Sequence, residues 1–306
     1  MVPREYLVLF VATLVWGSVH PTVKFALTEL TPVQLALLRP LFACVVLSLL
    51  VLVTGRANRI QRQLCATPGT LLTLGVLGFA ASGGLTSIAL SLLPAGVTSL
   101  MTNSSPLMVV VAGLLIFHQR IGWMETAGAV VGFLGVALLS LSDLQMTGDP
   151  GPTLLGSMLA LGSAACWAAY TGIARRLARA DPLVTTAITS AIGTLAIAVV
   201  AVPTQDWSLV THASTPVIAA TVWAGAMATG CTYAAWSYAL RRLPAVAVAP
   251  FGYLIPVSAL TISHFWLGES LTPAVLAGAA CVLAGVGLTQ FGQIRLLLRA
   301  ESPSRA

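Results

Sequence analysis

The feature that most restricts this fold is a succession of apolar runs, each about 20 residues long and nearly free of charge, the length a helix needs to cross a bilayer. Ten fall near residues 6–28, 32–54, 70–92, 95–117, 123–142, 153–174, 182–203, 216–239, 244–266 and 273–294. In lipid every backbone N–H and C=O must be satisfied without water, so a span is a helix or a strand of a closed barrel. A barrel would alternate apolar and polar residues over strands of about ten residues. The runs here are continuous, which predicts an all-α polytopic membrane protein of ten transmembrane helices. Composition agrees: 57% of residues are hydrophobic and 8% charged, against about 25% charged in soluble proteins. The net charge of +6 would suggest nucleic acid in a soluble chain. Here it reads as Arg collected in loops, with the lipid bilayer as partner and no nucleic acid. The run after Arg4 extends past Phe25 with no A-x-A-like cleavage site, so it is read as the first span and not as a cleaved signal.

The loop charges orient the spans. With the N-terminus inside, Arg4, Arg56, Arg59, Arg62, Arg120, Arg175, Arg176, Arg179, Arg241, Arg242, Arg295, Arg299 and Arg305 all fall on the inner side. The outer loops carry Glu29, Asp143, Asp149, Asp206 and Glu269 and no Lys or Arg. Basic residues are retained in cytoplasmic loops, so this partition predicts both termini in the cytoplasm.

The chain also repeats. A shift of 150 residues lays Ala89–Leu138 on Ala239–Leu288 without a gap, with 12 of 50 positions identical. Leu93-Pro94-Ala95 falls on Leu243-Pro244-Ala245, Pro106 on Pro256, and Gly135-Val136 on Gly285-Val286. Pro32 falls on Pro182 and, with one residue of slippage, Trp16 on Trp167. Residues 1–150 and 151–306 therefore read as two copies of five spans each. An odd number of spans inverts the second copy, the inverted-topology architecture of many secondary transporters.

The five-plus-five repeat, the Trp16-Gly17-Ser18 in the first span, and the A-L-x-x-L-P-A … P … L-G-E-x-L-T-P … G … G-V run from Ala239 to Val286 resemble the EamA family of the drug/metabolite transporter superfamily. The resemblance implies movement of small metabolites, often amino-acid or related export, across the cytoplasmic membrane of a bacterium. One position departs from the family pattern: Gly268-Glu269 in the second copy is matched by His118-Gln119 in the first. A carboxylate in one half only, at a helix end, suits capping or loop packing better than transport chemistry.

Polar groups inside spans are costly and are the first functional candidates. Trp16, His20 and Lys24 are spaced by four and share one helix face; Pro21 is placed to kink that helix. For Arg39 two readings stand: an anchor for a substrate carboxylate through its planar fork, or a partner of loop acids reached by snorkelling. Lys24 suits snorkelling. His20 is a proton carrier or a bundle histidine bonded to a neighbour. His264 lies near an outer end. Trp16 and Trp167 are read as cavity lining, against interface anchoring. Asn103 and Tyr253 are mates under the repeat, each three residues before a matched proline, where opened helices form transporter sites. Tyr170, Tyr233, Trp236 and Tyr238 are not separable from packing. Gly128 and Gly132 form a GxxxG, read as packing within one monomer. The small-molecule site is thus expected around Trp16, His20, Lys24, Arg39, Asn103, Trp167, Tyr253 and His264.

Other classes find little support. There is no Walker A pattern, no H-E-x-x-H and no nucleophile-elbow setting, so neither an ATPase nor another enzyme is expected, nor any cofactor or metal. No Asp or Glu lies at mid-span, which disfavours a carboxylate proton relay and an exporter of cationic drugs. Cys44, Cys65, Cys166, Cys231 and Cys281 show no paired spacing and read as small buried hydrophobes.

Overall fold

The structure, a computed structural model, describes residues 4–115, 122–147, 149–177, 179–240, 242–243 and 248–300. Among these, every regular element is helical and none is a strand. Among the described residues nine helices are long and apolar enough to cross a membrane: α1 (Arg4–Ala26), α2 (Pro32–Val53), α3 (Pro68–Leu92), α4 (Ala95–Ala112), α5 (Trp123–Gln145), α6 (Pro150–Ala174), α7 (Pro182–Thr204), α8 (Thr215–Trp236) and α10 (Pro273–Gly292). The expected ninth span is the shorter apolar helix α9 (Phe251–Leu267). Residues 116–117 of the expected fourth span and 244–247 of the expected ninth lie outside the described residues. Large apolar side chains face outward along the bundle, Val53, Val199 and Phe265 among them. That is the surface of a multi-pass protein whose solvent is lipid.

The helix ends follow from local chemistry. Thr31 caps α2 in a capping box with Gln34, with Pro32 in the first turn; Asp181 caps α7 through the Leu183 amide at 3.1 Å, again with proline following. Gly268 closes α9 at φ 70°, a conformation that glycine adopts without strain.

The breaks inside spans trace to prolines. Pro21 has no N–H for the Gly17 carbonyl, and α1 is interrupted between Gly17 and Val19. Pro106 leaves the Thr102 carbonyl free where α4 breaks at Asn103 and Ser104. Pro256 does the same to Gly252, and the chain there forms a 3-10 turn, Ala249–Tyr253, entering α9. Two wider π turns, Gly75–Ala81 in α3 and Trp223–Cys231 in α8, were not foreseen.

The helices pack in pairs that join the two halves. α5 lies against α10 along a glycine seam: a side chain on Gly128 would strike the Gly285 carbonyl, and one on Gly135 the Gly278 carbonyl. The expected intramolecular use of these glycines holds, and the register shows the two helices antiparallel. α2 and α7 are also antiparallel and braced at both ends. At one end Arg56 and Arg59 hold Asp181 at 3.1 and 2.6 Å, and Gln63 donates to Thr185. At the other, Thr31 donates to Gln205 and Gln34 to the Asp206 carbonyl. The cysteines are all free; four are half-buried, and Cys65 is exposed on the helix Asn58–Ala66, so that residue is not the buried hydrophobe expected.

Candidate functional site

The proline breaks, the π turns and the interruption of α1 meet around one cavity of about 370 Å³. Its wall draws on Trp16 and His20 from α1, Arg39 and Pro40 from α2, Gly78, Phe79, Ser82 and Thr86 from α3, and Thr102, Asn103 and Pro106 from α4. α6, α8, α9 and α10 contribute Ser163, Trp167, Thr171, Tyr233, Trp236, Tyr253, Pro256 and Gln290. Thr171, Trp236 and Gln290 stand near the last turns of their helices. The cavity therefore runs from the middle of the bundle toward the end where Arg56 meets Asp181.

Six of the eight candidate residues line it: Trp16, His20, Arg39, Asn103, Trp167 and Tyr253. Lys24 and His264 do not. The Lys24 ammonium donates to the Leu90 and Leu93 carbonyls at 2.7 and 2.9 Å, closing the last turn of α3. His264 Nδ1 pairs with the Glu269 carbonyl at 2.8 Å. The Glu269 carboxylate accepts from the Ala95 and Gly96 amides at 2.5 and 2.9 Å and caps α4, the capping role its sequence position suggests. These three side chains form a polar clasp across the end of the bundle opposite to the cavity. Glu29 adds a fastening there: its carboxylate accepts from the Ser214 amide and hydroxyl, both at 2.6 Å, and these bonds hold its pKa below the usual glutamate value.

The aromatic wall centres on Tyr233, which sequence alone left undistinguished from packing. Its ring centroid lies 4.9 Å from that of Trp16, 5.6 Å from Phe79 and 6.0 Å from Trp167. Trp236 stands edge-on to Trp16 and Tyr170 stacks on Trp167. A polar strip runs beside it, in which the Ser163 hydroxyl bonds with those of Ser82 and Thr86. The four-residue spacing of Ser82 and Thr86 was the available signal for this strip. Tyr253 donates to Gln290 at 3.0 Å, and Asn103 donates to the Ser99 carbonyl at 2.8 Å.

Arg39 supplies the charge. Its carbonyl is pressed against Gly225 in the π turn of α8, and its guanidinium lies against Gly83, where a Cβ would come within 2.6 Å of a terminal nitrogen. Among the described residues Arg39 forms no ion pair, and no Asp or Glu lines the cavity. The loop acids considered as its partners are engaged elsewhere: Glu29 with Ser214, Glu269 with α4. Nor is any group of three His, Cys, Asp or Glu placed to hold a metal ion among the described residues.

The model of the EamA-like transporter family matches this chain twice, over residues 3–141 and 154–291. The chain belongs to that family. It is a membrane transporter and not an enzyme. A relative from Streptantibioticus cattleyicolor named "Probable terminal-alkyne amino-acid exporter" is 26% identical over 98% of this chain and 97% of its own length. The Salmonella typhimurium protein named "Probable amino-acid metabolite efflux pump" is 27% identical over 94% of this chain and 95% of its own. The uncharacterized Bacillus subtilis transporter YvbV is 26% identical over 93% and 91%. A solved crystal structure superposes with a TM-score of 0.66 over 94% of this chain and 97% of its own, at 20% identity, which supports the fold alone. Within the EamA-like frame, the cavity between the helix breaks is the candidate solute site.

Proposed function

We propose that this EamA-like protein is a secondary transporter that exports small amphipathic metabolites bearing a carboxylate, amino acids or close relatives, by alternating access around the central cavity. The observation that carries the reading is Arg39: a guanidinium in the cavity wall with no acidic partner among the described residues. An uncompensated charge in apolar surroundings costs several kcal/mol, and a planar fork of donors fits a carboxylate. The aromatic wall supplies the apolar half of the site. The names of the relatives agree with this chemistry.

The mechanism rests on two inverted copies, residues 1–150 and 151–306, with both termini in the cytoplasm of a bacterial cell and the spans in its cytoplasmic membrane. Three features support the inversion. The family model matches twice. α2 with α7 and α5 with α10 pair antiparallel. The π turns are mates 150 residues apart, Gly75 facing the Thr189 carbonyl and Gly225 the Arg39 carbonyl. On this topology the clasp of Lys24, His264 and Glu269 closes the outer end, and the cavity faces the cytoplasm. The glycine seam is used within the chain, in keeping with a monomer.

Uptake into proteoliposomes tests the substrate class. Arg39→Gln is expected to raise the KM for carboxylate substrates about tenfold or more, the loss of one charged hydrogen bond being worth at least ~1.5 kcal/mol. Unchanged KM and kcat for every transported carboxylate would remove the anionic part of the reading. The rival reading, a broad exporter of cationic or neutral drugs, finds its support in the aromatic wall alone. Efflux of quaternary ammonium compounds would revive it.

A further inference from the structure

Five arginines gather at the end of the bundle where α2 is braced to α7. Arg56 and Arg59 converge on Asp181 and are themselves 28% and 55% exposed. Arg62, Arg176 and Arg179 are exposed and form no ion pair among the described residues. The segments that carry them share one support. Ile60 of the helix Asn58–Ala66 and Leu177, just before α7, pack on the same cluster of Leu47, Val51, Leu71 and Leu183. Arg62 lies two residues beyond Ile60, about 200° further round that helix, and so projects away from the support. Asp181 is the only acid within residues 30–124 and 150–205. Five arginines against one aspartate leave four uncompensated positive charges on this surface.

The surface borders lipid. Leu41, Val45, Leu49 and Leu52 recur every three or four residues on α2 and are all exposed, whereas Leu47 and Val51 on the other face are fully buried. From Leu41 to Leu52 the stripe rises about 16 Å, roughly half of the ~30 Å hydrocarbon core. It ends at Val53, and Gly55, at φ 67°, turns the chain into Arg56 and the helix Asn58–Ala66. That helix exposes Leu64 as well as Arg62. An apolar stripe of one leaflet's depth that ends in unpaired guanidinium groups fits a lipid with a negative head. A free phosphate would use only the charged end of this surface, and a zwitterionic lipid brings a cation of its own.

We propose that Arg59, Arg62, Arg176 and Arg179 hold the phosphate head of an anionic phospholipid, whose acyl chain lies along the exposed stripe of α2. A bound lipid there bridges the segment that follows α2 and the segment that precedes α7, beside the pairing of Arg56 with Asp181. It supplies the negative charge that Asp181 alone does not. Arginine suits the role, since its planar fork pairs with phosphate oxygens two at a time.

The test titrates phosphatidylglycerol onto the delipidated full-length protein in a neutral detergent, with phosphatidylcholine of the same acyl chains as the control, and reads each bound lipid by native mass spectrometry. The wild-type protein is expected to bind phosphatidylglycerol more tightly than phosphatidylcholine. Each basic residue at a membrane surface is worth roughly fivefold in affinity for an anionic lipid. The triple variant Arg62→Gln, Arg176→Gln, Arg179→Gln is therefore expected to lose more than about tenfold on phosphatidylglycerol and nothing on phosphatidylcholine. Asp181→Asn removes the one acid and releases Arg56 and Arg59, so it is expected to bind phosphatidylglycerol about fivefold more tightly than wild type, a gain that a damaged fold would not produce. Equal affinity of the wild-type protein for the two lipids, or undiminished phosphatidylglycerol binding in the triple variant, would overturn the proposal. No gain in Asp181→Asn would place the lipid elsewhere and overturn it too. Displacement of the lipid by inorganic phosphate at a comparable concentration would assign the surface to a free anion instead.

Discussion

Glu269→Gln tests whether the clasp at the end opposite to the cavity governs access. The carboxylate spans two amides at the start of α4, Ala95 at 2.5 Å and Gly96 at 2.9 Å. A hydrogen bond to a charged group contributes about 1.5–3 kcal/mol, and a negative charge at a helix N-terminus adds ~0.3–1 kcal/mol. Glutamine keeps one acceptor, loses the charge and turns an NH2 toward the second amide. Parting α9 from α4 at this end would break both contacts. Allowing for the partial exposure of Glu269, the loss of about 2 kcal/mol shifts the balance between closed and open clasp roughly 30-fold toward open. The assay is a cysteine at Val97, which is 3% exposed and lines the small cavity beside Glu269, in a protein whose five native cysteines are replaced. Labelling by a membrane-impermeant maleimide applied outside is expected to accelerate strongly in the Glu269→Gln background. Equal labelling rates with and without the substitution would refute the clasp as a gate.

Three other perturbations have defined outcomes. Gly285→Leu drives a side chain into the Gly128 carbonyl and the Gly132 backbone and is expected to destabilise by about 1–3 kcal/mol, read as a lower thermal unfolding midpoint; an unchanged midpoint would deny the seam its role. Asp181→Asn removes the charge on which Arg56 and Arg59 converge and is expected to lower the unfolding midpoint in low salt more than in high salt, whereas an equal effect at both would assign the loss to the Leu183 cap alone. Glu29 has a folded pKa below its ordinary 4.5, so its bonds to Ser214 are fully present above that ordinary value and lost as pH falls through the lower folded one. The gap in stability between wild type and Glu29→Gln should therefore stay constant from pH 7 to pH 5.5 and close only in stronger acid; a gap that closes near neutrality would contradict this assignment.

The spans were legible because lipid imposes one rule on every residue of a run. The glycine seam was legible in composition but not in partner, since Gly128 and Gly132 carry no mark of where Gly285 will lie. Proline gave the helix breaks, since a missing N–H acts on a known carbonyl four residues back; the π turns of α3 and α8 lie against α7 and α2 and leave no comparable sign. Arg39, His20 and the two tryptophans could be placed by depth within a span. Lys24 and His264 could not, because their partners are backbone carbonyls exposed by helix ends far away in sequence. Tyr233 is not separable from packing in the sequence for the same kind of reason: its place between Trp16, Phe79 and Trp167 depends on three other helices.

The measurement that tests the central claim most directly is counterflow in proteoliposomes preloaded with unlabelled amino acids, with labelled L-amino acids outside and the matching decarboxylated amines as competitors. The account predicts accumulation of a subset of amino acids, strongest for large apolar side chains, with little competition from the amines and loss of accumulation in Arg39→Gln. Accumulation driven equally well by the amines, or undiminished in Arg39→Gln, would contradict it.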